Sequence, residues 1–446
     1  MFVLFAFAYG IFFVLMNPPY QAPDEVAHFF RAYQISKGIL LPEKLSSLSL
    51  GGYMPVNFLL LPMQYNRLYG NPKNKTSIKQ TLSWFKKLPS SESKELYPAD
   101  FKGTALHCPV LYIPQIAAIY IGRISNLNPL SVMYLGRLLN LAAWMALIYL
   151  SIKMLPFYKW LFLWLALSPM SVYQASSLSA DALTNGMVFF FIAFFITKST
   201  EGGKRLNRIE LILILVLSLF IALAKVIYLF TIFLYFIIPS KSFGSKRKYL
   251  TFTLLLLILC FGGSFIWTKL ITKLQVPYSS SVNSEQQLKN VKSDTSILFS
   301  VIYNTFKQKT FVHIEQFVGT LGWLDTKLPM SAVYLYMVIL FILAFTDVNK
   351  GIVFAYANKA IAFSIFVIEF LLLLILAYIY WNKVGNNIIE ALQGRYFIPL
   401  SPLFFLLFYN NRLGSFSKHV YLLVVIGLAY ILSMSCLCLV NRFYLA

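Results

Sequence analysis

The chain has 446 residues, 59% of them hydrophobic and only 12% charged, with a formal net charge of +22. So few charges, set in short stretches between long apolar runs, argue against nucleic-acid binding and for a polytopic helical membrane protein whose cytoplasmic loops are basic. The cysteines at 108, 260, 436 and 438 indicate neither a disulfide framework nor a zinc site.

Met1 to Met16 is almost wholly apolar and lacks both a basic n-region and a small-residue cleavage site, so it reads as a first span and not as a removed signal peptide. Pro18, Pro19 and Pro23 end that span. A new helix can begin at Asp24, which can cap free backbone N–H groups, and Glu25 shares the benefit of the positive end of the dipole. At helical spacing Asp24, His28 and Arg31 share one face, while Val26, Phe30 and Tyr33 lie on another that can rest on lipid.

Five basic loops set the orientation: 153–159, 198–208, 241–248, 350–359 and 412–418, all expected to be cytoplasmic. Between them lie apolar segments at 1–16, 129–152, 157–175, 182–197, 209–223, 226–238, 249–268, 330–346, 360–381, 397–409 and 420–440. The expected fold is therefore an all-α polytopic membrane protein forming a single integral membrane domain over 1–446. It has about 11 transmembrane helices, with the N-terminus cytoplasmic and the C-terminus outside. The stretch from Ile209 to Pro239 is read as a hairpin turning at Ala224-Lys225. Lys225 near the membrane calls for an anion, and Glu369 in the middle of its span is the plain candidate.

Two long segments fall outside by this count, a large first extracytoplasmic loop at 17–128 with amphipathic helices, including Pro109 to Ile124, and a second at 269–329. On the same side gather Asp24, Glu25, His28, Arg31, Asp181, Lys225, Asp325 and the Gln393-Gly-Arg395-Tyr stretch. Each has a plainer reading: Asp24 and Asp181 as helix caps, Asp325 as an Asx turn, Arg395 with Tyr396 as an interfacial anchor, and His28 and His107 as structural histidines.

Seven short motifs follow one another along the chain: Pro23-Asp-Glu-Val-Ala-His-Phe-Phe-Arg, His107-Cys-Pro-Val-Leu-Tyr, Tyr134-Leu-Gly-Arg-Leu-Leu-Asn, Ser177-Leu-Ser-Ala-Asp, Ala224-Lys, Gly322-Trp-Leu-Asp-Thr and Gln393-Gly-Arg-Tyr-Phe-Ile-Pro. With these the chain resembles the bacterial membrane proteins grouped as domain of unknown function 2142, which are related to the GT-C glycosyltransferases. The resemblance implies a GT-C-like fold in the bacterial inner membrane. It also implies transfer of a sugar from a polyprenyl-phosphate-linked donor to a cell-envelope glycan or lipid acceptor, in polysaccharide biosynthesis at the outer face. It places the catalytic base at Asp24 or Glu25 and a divalent metal, Mg or Mn, at Asp181. Ser179-Ala-Asp181 offers one acid where metal-dependent members show two, so Lys225 and Arg395 are the alternative means of neutralising the leaving phosphate. His28, Arg31, Asp181, Asp325 and Gln393 are then left to bind acceptor or donor. Neighbouring helical residues point about 100° apart, so only one of the two acids can face the acceptor, and Asp24 is favoured because His28 and Arg31 share its face. The competing reading is a transporter or flippase, or a polymerase of lipid-linked envelope glycans, in which Glu369 would matter more than the outer acids.

Overall fold

The computed structural model describes residues 1–90, 92–413 and 417–445; residues 414–416 of the basic loop 412–418 lie outside them. Without water a backbone must satisfy its own polar groups, so the apolar runs fold as helices. Among the described residues five helices are long and apolar enough to cross a membrane: Pro129–Met154, Asp181–Thr200, Lys246–Thr272, Tyr356–Trp381 and Lys418–Phe443. Phe2–Met16, Arg208–Ala224 and Met330–Thr346 are shorter. Polar caps start several of them. Asn128 accepts from Ser131 N, Ser417 from Val420 N, and Asn207 forms a reciprocal capping box with Glu210.

Three expected spans are not single α-helices. The stretch 157–175 breaks at Ser168-Pro169 into Lys159–Ala166 and Pro169–Ala175, because proline cannot donate to the preceding turn. The stretch 397–409 is a chain of short turns, including Ser401–Phe405 and Leu406–Phe408. The segment Val226–Ile237 winds as a 3₁₀ helix. It folds back along Arg208–Ala224 after an extended Lys225 (φ −149°, ψ 130°), which is the hairpin expected at Ala224-Lys225. The expected pairing of Lys225 with Glu369 does not form. Glu369 accepts from the Thr231 amide at 2.5 Å and hydroxyl at 2.8 Å, and at about 2 Å per residue Thr231 sits about 12 Å further along the segment than Lys225.

The Asp181–Thr200 helix is the most enclosed of the long helices, packed against Pro129–Met154. Gly186 allows the close approach, since a Cβ there would lie 3.2 Å from Leu147 Cβ and 3.6 Å from Trp144 Cα. The basic loops assemble in two groups. Asn349 donates to Pro156 O and Asn411 to Lys350 O, and Leu206 N donates to Ser242 O.

The segment 17–128 departs from an all-α description. Strands Glu43–Ser46, Ser49–Pro55 and Leu96–Asp100 form an antiparallel sheet, with Gly51 opposite Asp100 and Pro55 opposite Leu96. This sheet and the Val56–Tyr65 helix cover the Glu25–Ser36 helix. Phe29 stacks on Phe58, Phe30 meets Phe101 edge-on, and Gln34 Nε2 donates to Gly51 O at 3.0 Å. Phe30 and Tyr33 are therefore buried in protein and do not rest on lipid. In 269–329, helices Ser284–Ser293 and Ser296–Gly319 lead into a hairpin that pairs Thr320 with Lys327.

Candidate functional site

Asp24 sits immediately before the Glu25–Ser36 helix in a left-handed conformation (φ 60°), and its side chain caps no helix N–H among the described residues, contrary to expectation. Aspartate tolerates that conformation better than most residues, and it turns the carboxylate away from the helix start. Asp24 Oδ2 instead accepts from Arg395 Nη2 at 3.2 Å. The Asp24 side chain is 45% exposed and that of Arg395 only 3%.

Arg395 reaches a second acid, with Nη1 4.0 Å from Asp181 Oδ2. Asp181 is the first residue of its helix but not its cap. Its Oδ1 pairs with Lys225 Nζ at 2.5 Å and its Oδ2 accepts from Gln174 Nε2 at 3.0 Å. Four segments far apart in the chain thus build a row of alternating charge, Asp24, Arg395, Asp181 and Lys225, with two acids and two bases. Arg395 is held from behind. Gln393 Oε1 accepts from its Nε at 2.6 Å, and Gly394 N donates to Gln316 Oε1 at 2.8 Å. Gly394 lies so close to the Ser296–Gly319 helix that a Cβ would overlap the His313 carbonyl oxygen. The Tyr396 ring lies 5.3 Å from the Arg395 guanidinium and 5.8 Å from Lys225 Nζ.

Residues 7–404 match the family described as "Predicted membrane protein (DUF2142)". The chain belongs to this family. No curated protein and no solved structure matches it. The DUF2142 match covers all four members of the charged row and ends before the Lys418–Phe443 helix.

In this DUF2142 chain the other predicted site residues fall into separate places. His28 Nδ1 and His107 Nδ1 lie 3.0 and 3.2 Å from the same Tyr112 hydroxyl. One hydroxyl proton cannot serve both rings, so one histidine accepts from Tyr112 and the other donates to it. Burial pushes the His28 imidazole down to about 4, and His107 well below its ordinary value, so both are neutral at pH 7.

Glu25 does not face the site. It is fully buried, its two oxygens held by Arg137 Nε at 2.8 Å and Nη2 at 2.7 Å, with Leu178 N at 3.1 Å. Arg137 also donates to the carbonyls of Val14, Asn17 and Pro18, closing the end of the first helix. Its acid is spent as an internal counter-ion, the opposite of a base open to substrate. Arg31, too, is turned inward, donating to Gln34 Oε1, Leu40 O and His107 O. Asp325 joins Arg442 at 2.7 and 3.0 Å rather than the charged row, although Trp323 Nε1 reaches Tyr20 O at 3.3 Å and docks that hairpin beside the Asp24 segment.

A divalent metal at Asp181 does not fit. Both of its oxygens are engaged by Lys225 and Gln174, and among the described residues no group of three His, Cys, Asp or Glu side chains could hold an ion. Gln174 lies outside the sequence motifs, and Tyr112 and Arg137 lie within them with no role assigned from the sequence. For Arg137 the signal was present, because an arginine within an apolar run demands a partner.

Proposed function

We propose that this protein is a GT-C-type glycosyltransferase of the bacterial inner membrane. It moves a sugar from a polyprenyl-phosphate-linked donor to an envelope glycan or lipid acceptor at the outer face, across a fold of about 11 crossings. The observation that carries the reading is the Asp24–Arg395 pair, a half-exposed carboxylate 3.2 Å from a buried guanidinium. A carboxylate open to solvent can take the acceptor hydroxyl proton, a contribution typically of about 10² to 10⁴ in rate. The acceptor oxygen then bonds to the anomeric carbon while the bond from that carbon to the phosphate oxygen breaks, and the electron pair leaves on the phosphate. Arg395 and Lys225 supply the cations that stabilise this growing charge without a metal.

The resting pair gives the steps an order. A donor phosphate competes with Asp24 for Arg395 Nη2, and once it is bound the Asp24 carboxylate is free to act as base. Gln393 and Gln174 hold Arg395 and Asp181 in place meanwhile. The test is transfer from a polyprenyl-phosphate sugar by purified protein in nanodiscs, with Asp24→Asn folded but inactive; a fully active Asp24→Asn removes the assignment.

One observation favours a second reading, a transporter or flippase. Glu369 is buried within Tyr356–Trp381, where an ionisable side chain is costly and often functional. Its substitution separates the two readings.

A further inference from the structure

The helix Ile78–Lys87 has an apolar side that the protein leaves uncovered. Ile78, Leu82 and Phe85 are 51%, 57% and 37% exposed. They recur at i, i+4 and i+7, so at about 100° per residue they fall within a sector of about 60°. On one flank of that sector the helix meets protein, where Thr81 bonds the Tyr65 hydroxyl at 2.7 Å and Trp84 packs on the core. On the other flank stand Lys79 and Lys86, seven residues apart and exposed. Protein, apolar surface and cation follow one another around the helix, the arrangement of a segment lying in a membrane interface.

Contacts at both ends set its depth. Asn128, which caps the Pro129–Met154 helix, donates to Phe85 O at 2.9 Å, and the Phe85 ring stacks on Tyr134 at 5.9 Å. Tyr134 lies about 8 Å into that span-length helix at 1.5 Å per residue. Just before Ile78, Thr76 N donates to Phe443 O at 2.8 Å and Lys75 Nζ to Asn441 O at 2.8 Å, closing the end of Lys418–Phe443. The helix therefore bridges the start of one membrane-length helix and the finish of another, at the level where both leave the bilayer. Residues 70–91 contain five lysines and no Asp or Glu.

We propose that Ile78–Lys87 is an interfacial anchor that binds anionic phospholipid. Ile78, Leu82 and Phe85 enter the acyl region, and Lys79 and Lys86 pair with headgroup phosphates. The occupant is lipid because the apolar sector is edged by lysines at the depth of the headgroups, and the whole segment is cationic. This inference does not depend on the glycosyltransferase reading.

The test uses the full chain with its four cysteines replaced and one spin label, at Leu82→Cys or at Lys87→Cys, in nanodiscs of phosphatidylcholine with or without phosphatidylglycerol. Position 82 should be severalfold more accessible to oxygen than to a water-soluble nickel chelate, with the ratio reversed at position 87. Phosphatidylglycerol should shield position 82 further, and Lys79→Glu with Lys86→Glu should abolish that response. Should the double variant fail to fold, Lys79→Gln with Lys86→Gln makes the same comparison. Equal chelate access at 82 and 87 overturns the proposal, as does indifference of the parent chain to phosphatidylglycerol. A label at 82 closed to both reagents also overturns it, because another protein surface or a second copy would then cover the face.

Discussion

Asp24 and Arg395 lie 371 positions apart in the chain and meet at 3.2 Å, the acid half in water and the base almost wholly enclosed. The unequal exposure matters for chemistry. The guanidinium cannot leave, because Gln393 and the Tyr396 ring hold it, whereas the carboxylate can move to a substrate at little cost. Asp24→Asn keeps the left-handed backbone, which asparagine also accepts. It should lower transfer by about 10² to 10⁴ while the thermal midpoint stays close to that of the parent. Assay and melting curve on one preparation check both halves.

The neighbouring acid should behave in the opposite way. Glu25→Gln leaves the buried Arg137 guanidinium without its counter-charge, which typically costs about 3 to 5 kcal/mol. Loss of folded yield is expected, and Glu25→Gln with Arg137→Met should recover part of it. A stable, inactive Glu25→Gln would instead make Glu25 the base.

Gly394→Ala should fail through the backbone. The added methyl meets the His313 carbonyl oxygen, so the 393–396 segment must move off the Ser296–Gly319 helix and take Arg395 with it. Donor affinity should fall along with activity. Measuring KM and the melting midpoint together distinguishes this from Arg395→Lys, which keeps the charge but loses the planar fork shared by Asp24 and Gln393.

Acid should destabilise the protein through the buried histidines. The folded value of His28, about 4, lies below the ordinary 6.5, so between these values the unfolded chain binds the extra proton. Stability then rises with pH across about 4 to 6.5 and is fully present above 6.5, with a slope of up to about 1.4 kcal/mol per pH unit from this group. His107 adds in the same direction. Thermal midpoints from pH 4 to 7 should show the slope, and His28→Gln should flatten it in part.

Glu369→Gln separates the two functional readings. The glutamine carbonyl can still accept from the Thr231 amide and hydroxyl, so stability should change by no more than about 1 kcal/mol. Glycosyl transfer should be retained. A variant that folds but no longer passes a solute in proteoliposomes would favour transport instead.

Much of this protein was legible in the chain because hydropathy is local: the cost of burying a backbone depends on the run of side chains around it. The five longest apolar helices, the break at Lys225, the family motifs and the unusual charges at 24, 181, 225 and 395 could all be read one after another. Only tertiary structure decided how those charges pair. Lys225 joins Asp181 and not Glu369, and Asp24 and Glu25, side by side in sequence, part company at a left-handed turn that sends one to Arg395 and the other to a buried Arg137. The covering of Phe30 and Tyr33 by a sheet was equally hidden, since Pro- and Lys-rich stretches look like loops until distant strands supply their hydrogen bonds. A charge buried in a membrane protein must find a partner, but which partner it finds depends on where remote helices pack.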